Sequence, residues 1–173
     1  VQTIDEDKIS PQYSEFYELQ LAKSRSEKLK IIYNNKILHQ SKLINYFNGE
    51  ISKEKTEKDL DKMLKKLKKN KKYYFSTKDN ILIESFVYDG IKISEKYENM
   101  LELDKSNIPT DIEVMINDGE IAMILLRLVE IIGEDNLKDL GTETLYFIIS
   151  TLNKLNIDKI RNDIILQVIP VKV

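Results

Sequence analysis

Between residues 119 and 168 the chain carries three apolar segments of similar length, 119–132, 142–155 and 158–168, separated by little more than capping residues. Within each, the large apolar side chains recur at three- and four-residue intervals, the period of a one-sided helix. Helices this short cannot bury their apolar stripe alone and must pack on neighbours. The pattern predicts an all-α protein: stacked antiparallel helical hairpins, forming an irregular α-solenoid or helical bundle.

A chain of 173 residues can bury a core of its own without staples. None are available, because cysteine is absent, which rules out disulfides and thiolate metal sites. The 27 basic and 29 acidic residues nearly cancel, so no global field recruits nucleic acid and any electrostatic partner would need a local patch. The longest apolar run, residues 121–126, is stopped by Arg127 and resumes only as far as Ile132. A membrane span needs roughly 20 residues, so no transmembrane helix is expected. The balanced composition predicts a soluble molecule of cytoplasm or of periplasm and envelope. An opening valine with no charged-then-apolar leader reads as a processed protein or a fragment of a longer one. Heavy use of lysine, isoleucine and asparagine points to a bacterial, AT-rich genome.

Residues 1–10 are polar and aperiodic, a flexible lead-in. Residues 11–88 are expected to form N-terminal helical hairpins and residues 89–173 C-terminal ones, packed together as one unit. Ser10-Pro11 opens the first helix, with Phe16, Leu19, Ala22, Leu29 and Ile32 on its buried face. A second helix is expected over residues 36–48, closed by Gly49. A third starts at Ser52 and carries Leu60, Met63, Leu64 and Leu67 as a narrow stripe. Ser76 with Asp79 resembles a capping box for a helix that stops at Asp89-Gly90. Short helices follow over residues 94–102 and 110–117, the latter signalled by Pro109, Thr110 and Glu113. Gly119, Gly133 and Gly141 can each supply the left-handed conformation that ends a helix. Thr142 and Asp158 are read as the caps of the last two helices. In their hairpin, Asn156 takes the left-handed turn and Ile160, Ile164, Ile165 and Val168 face inward. Tyr73-Tyr74-Phe75 and Ile91-Lys92-Ile93 are the only plausible extended pieces.

Asp89-Gly90, Gly119-Glu120, Leu125-Leu126 running into Gly133-Glu134-Asp135, Leu140, Thr144-Leu145-Tyr146 and Leu155-Asn156-Ile157 with Arg161 and Ile164 carry a resemblance. Over residues 89–168 the chain resembles the C-terminal helical hairpins of large, uncharacterised α-helical repeat proteins of the alphaproteobacterial envelope. That resemblance implies a superhelical binding scaffold, is compatible with export, and transfers no catalytic residue. The N-terminal half departs from it, with lysine where such proteins use alanine and arginine.

Chemistry is sparse. His39 is the single histidine, which leaves no multi-histidine metal site and favours a surface or capping role over an acid–base one. Asp135, Asp139 and Glu143 lack the intervening oxygen ligands and glycine of a calcium loop, since Leu137 and Leu140 stand there, and Asp104 with Ser106 fails similarly. Five glycines make no phosphate-cradling loop. No cofactor or metal is therefore expected. The strongest local charge is Lys62, Lys65, Lys66, Lys68, Lys69, Lys71 and Lys72, followed by Tyr73, Tyr74 and Phe75. Such a segment could hold a phosphate backbone or lie on anionic lipid. The plainer reading is a solvated helix face, acidic at its start and basic at its end as the macrodipole favours, with the aromatics tucked into the core.

For partner contacts the sequence offers Arg127, Tyr146, Phe147 and Arg161. Arg127 interrupts an apolar helix and is otherwise read as pairing with Glu130 or Glu120; Arg161 is otherwise read as pairing within its own helix. Leu125, Leu128, Val129, Tyr146 and Phe147 put apolar area on more than one helical face. The expected function is a non-enzymatic protein-interaction scaffold or assembly subunit with a protein partner. The alternative is a nucleic-acid or anionic-membrane adaptor through residues 62–75.

Overall fold

The computed structural model describes residues 31–101 and 108–172. The expected lead-in, the helix opened by Ser10-Pro11 except for its Ile32 end, and the Asp104–Ser106 loop lie outside the described residues. Residues 33–171 form one compact unit, and residues 31, 32 and 172 belong to a second. The protein is all-α: the described residues hold six α-helices, three 3-10 helices and two strands of two residues each. One strand is Ile31–Ile32, so the first helix does not extend to Ile32; two adjacent β-branched residues favour extended backbone.

Helix α1, Lys53–Lys69, begins at Ser52, whose side chain accepts from the Lys55 amide. Thr56, Leu60, Met63, Leu64 and Leu67 are its buried stripe. Helix α2, Thr77–Tyr88, opens with a complete capping box between Ser76 and Asp79. It buries Ile81, Leu82, Ile83, Glu84, Ser85 and Phe86 in an unbroken run, as a central helix does. Helices α3 (Thr110–Asp118) and α4 (Ile121–Ile132) are joined through Gly119. Helices α5 (Thr142–Lys154) and α6 (Asp158–Val168) are joined through Asn156, which takes the expected positive φ of 54°.

The main core runs from Leu38 to Ile169 and brings α1, α2, α5 and α6 together with the 3-10 segments and with Leu128 of α4. Its most extensive helix contact is α2 on α5. Within it, Phe47 stacks on Phe86 at 5.1 Å, with Tyr46 edge-on to both. A separate small core, Ile108, Ile112 and Ile124, holds α3 to α4.

Several expectations are corrected. Residues 36–48 form two 3-10 helices, Leu38–Gln40 and Lys42–Tyr46, separated by Ser41. Ser41 bonds back to the Leu38 carbonyl and accepts from the Leu43 amide, so its hydroxyl replaces the bonds a continuous helix would make. The segment after Ser94 is likewise 3-10, Glu95–Met100. Gly141 has φ −59° and precedes the first turn of α5, so Thr142 is that helix's first residue rather than its cap. Ile157 precedes α6 in the same way, ahead of Asp158. On α6 the buried face is Arg161, Ile164 and Ile165, and Ile160 is 45% exposed. The arginine stem fills the inward position that apolar periodicity assigns to isoleucine.

Candidate protein-docking face

Three buried polar clusters fix the main core, and their geometry is that of anchors. The first is Asp79. Its Oδ1 accepts from the His39 amide at 2.9 Å and lies 2.7 Å from His39 Nδ1; its Oδ2 accepts from the Tyr73 hydroxyl at 2.8 Å and the Ser76 amide at 3.0 Å. Burial alone would push the Asp79 carboxyl up, but the bonds from His39, Ser76 and Tyr73 outweigh it and hold the group below the ordinary carboxylate range. Burial, with Asp79 alongside, raises the Tyr73 hydroxyl well above the usual tyrosine range. Ser76 Oγ lies 3.3 Å from the same His39 nitrogen that meets Asp79. A serine relay needs the serine and the carboxylate on opposite ring nitrogens, so the three residues form a helix cap.

The second cluster is Arg161, 1% exposed. It grips Asp89 bidentately, Nη1 at 2.8 Å and Nη2 at 2.9 Å, and donates to Asn153 Oδ1 at 3.0 Å and to Asn162 Oδ1. Asp158 lies 3.2 Å from it, and the Phe47 ring stands 5.8 Å from its guanidinium. The nearby Tyr46 hydroxyl is pushed up to about 12 by burial and by Asp89. Arg161 is thus enclosed and fully committed inside the fold, and it offers no fork to a partner. Neither the His39–Asp79 nor the Arg161–Asp89 link is visible locally, since 40 and 72 residues separate the partners. The third cluster joins α2 to α5: Tyr146 Oη donates to Glu84, which also accepts from Ser150 at 3.2 Å. Tyr146 and Phe147 are only half-exposed. Phe147 packs against both cores.

The basic segment lies apart from these. Lys62, Lys65, Lys66, Lys68 and Lys69 are exposed along α1. Lys62 pairs with Asp59 at 3.0 Å, and Lys68 donates to the Lys96 carbonyl and stands 5.7 Å from the Tyr97 ring centre. Lys71 and Lys72 are exposed, Tyr73 and Phe75 pack edge-to-face at 5.2 Å against the main core, and Tyr74 is 86% exposed. An open cavity of about 460 Å³ lies between Leu67, Lys71, Tyr74, Asn80 and Met100. Asn80 Oδ1 is unbonded but sealed from solvent, so it does not serve that cavity.

The remaining feature is α4. Only Ile124 and Leu128 are buried on it, yet its eleven residues other than Arg127 include a single charge, Glu130. At 100° per residue, Ala122, Leu126 and Val129 share the side opposite Ile124 and Leu128, with Met123 beside them. All four are exposed, Leu126 by 58% and Val129 by 63%. Val114 on α3 is exposed as well. Arg127 is exposed at the edge of this stripe and pairs with Glu130 at 2.9 Å, the pairing the sequence suggests. Scattered surface apolar residues need no explanation, but a contiguous stripe on one helix does. The sequence signal for it was an apolar helix too uniform to have a wet face.

Among the described residues no helix is long and apolar enough to cross a membrane, and no three His, Cys, Asp or Glu side chains gather as a metal site. Comparison with known protein families, with characterised proteins and with solved structures gives no match for this chain.

Proposed function

We propose that the chain is a non-enzymatic protein-docking module or assembly subunit whose working surface is the outward stripe of α4, centred on Leu126 and Val129. One observation carries the reading: α4 is apolar on both sides but buried on one. Exposing such a stripe costs solubility, and a protein partner that covers it removes the apolar surface from water. Tyr146 and Phe147 then act beneath the surface, Phe147 by seating the α3–α4 pair. The test is site-specific photocrosslinking in the native cell, with the probe at Val129 or at Lys65. A protein adduct from position 129 supports the reading, as does its formation at undiminished yield when a lysate is irradiated in 0.5 M salt, because apolar contact survives where charge contact is screened.

The second reading, a nucleic-acid or anionic-membrane adaptor, is supported by Tyr74 standing free beside Lys71 and Lys72. It requires adducts from position 65 rather than 129, and oligonucleotide or anionic-vesicle binding that weakens steeply with salt.

A further inference from the structure

Granting that docking face, we infer that its occupant is a second copy of this chain, joined through antiparallel α4 helices in a two-fold dimer. A two-fold contact must be self-complementary, each residue i meeting j while j meets i. The outward stripe has that property. Ala122, Leu126, Val129 and Gly133 are spaced four, three and four apart, the seam of two helices packed side by side. Their sizes read small, large, large, small in either direction. An antiparallel copy centred between Arg127 and Leu128 sets Leu126 against the second copy's Val129. The same register sets Ala122 against its Gly133.

Charge follows the same symmetry. In an antiparallel pair, each flank of one seam meets the same flank of the other. Arg127 and Glu130 both lie on the flank that Met123 begins, and both are exposed, by 53% and 66% of their side chains. The register that pairs the apolar residues brings each Glu130 alongside the second copy's Arg127. The intrahelical pair can therefore be exchanged for two intermolecular ones with no charge left unpaired. Nothing on the stripe repels its own copy. A helix of 12 residues makes a contact at the small end of specific interfaces, so the dimer is expected in the micromolar range.

The experiment is sedimentation velocity on the full chain from about 1 to 100 μM, with helicity followed by circular dichroism. The wild type is expected to dimerise, and Leu126→Glu to be monomeric with unchanged helicity. Should Leu126→Glu lose helicity, Val129→Gln serves in its place, since that side chain is more exposed still. Arg127→Glu and Glu130→Arg, taken singly, each put like charges across the seam and should weaken self-association by about tenfold or more. Mixed in equal amounts they should recover it, because a copy with two acids then faces a copy with two bases. That recovery is specific to this register, since neither variant has its intrahelical pair. A monomer at 100 μM, a dimer indifferent to Leu126→Glu and Val129→Gln, or a mixture that fails to recover would overturn the self-pairing. The docking face itself fails separately, if the Val129 probe yields no protein adduct in the cell.

Discussion

The two helical hairpins of the C-terminal region are built to the same plan and held by different means. Helices α3 and α4 turn at Gly119, α5 and α6 at Asn156, both residues at positive φ, 74° and 54°. The α5–α6 pair buries Leu145, Ile148, Ile149, Leu152 and Ile165 at 1% exposure or less and adds the Arg161 network. The α3–α4 pair is held together by three isoleucines with Phe147 against them, docks on the main core through Leu128 with Leu125 and Ile132 beside it, and has one half-exposed tether from Lys154 to Glu113 at 3.1 Å. Apolar contact alone tolerates many arrangements, whereas a buried charge with fixed acceptors tolerates few. The first pair is thus specified from within, whereas the second leaves apolar area of α4 exposed.

The contrast is broken most severely at Arg161. Arg161→Ala leaves the part-buried Asp89 and the buried Asn153 without their donor and should cost up to about 3–5 kcal/mol, read by chemical denaturation; a loss under 1 kcal/mol would mean the network contributes nothing. Ile149→Ala should cost about 2–5 kcal/mol, and Ile124→Ala, in the small core that can collapse around it, should fall at the lower end. Lys65→Ala, fully on the surface, is the proper control and should stay within about 0.5 kcal/mol. Amide exchange sharpens the same point: α3–α4 amides should exchange through smaller openings than those of α2 and α5.

Asp79 probes the other end of the core. Its folded carboxyl lies below the ordinary value of 3.8, so its stabilisation is complete above that pH and is lost as pH falls through the lower folded value. Asp79→Asn should cost about 1–3 kcal/mol at pH 7 and flatten the acid limb of the stability curve. A curve with the same acid slope as wild type would remove Asp79 as its source. The smallest effect belongs to the turns. Gly119 has open space around its Cα, so Gly119→Ala should cost only the left-handed backbone penalty, about 1–2 kcal/mol. Asn156→Gly should change stability by less than about 0.5 kcal/mol, as both residues tolerate that conformation.

How much of this was legible in the sequence depends on how far apart the interacting residues stand. Ser52, the Ser76–Asp79 box, the Gly119 and Asn156 turns and the all-α class are written within a few residues and could be read directly. The 3-10 segments could not, because Leu43, Ile44 and Phe47 suit either helix type and the choice turns on the Ser41 hydroxyl. On α6 the inward places of Ile164, Ile165 and Val168 could be read, but not the exposure of Ile160, because apolar periodicity turns it inward while the reason to bury Arg161 is an aspartate 72 residues earlier. His39 was read as a capping-type residue without its cap, Asp79. The exposed stripe of α4 was half legible: Val129 and the uniform apolar sequence pointed to it, whereas Tyr146 and Phe147 are partly buried on the main core and Arg161 is enclosed.

That 72-residue separation also sets an order of events during synthesis. Asp89 and Asn153 both leave the ribosome before Arg161 does. At about 5–20 residues per second, Asp89 waits roughly 4–14 seconds for the buried guanidinium that grips it. Until then the carboxylate at the end of α2 has no guanidinium to neutralise it. Nascent chains stalled with Arg161 still inside the exit tunnel should be protease-sensitive around Asp89, and a C-terminal linker long enough to bring Arg161 out should abolish that sensitivity in a single step.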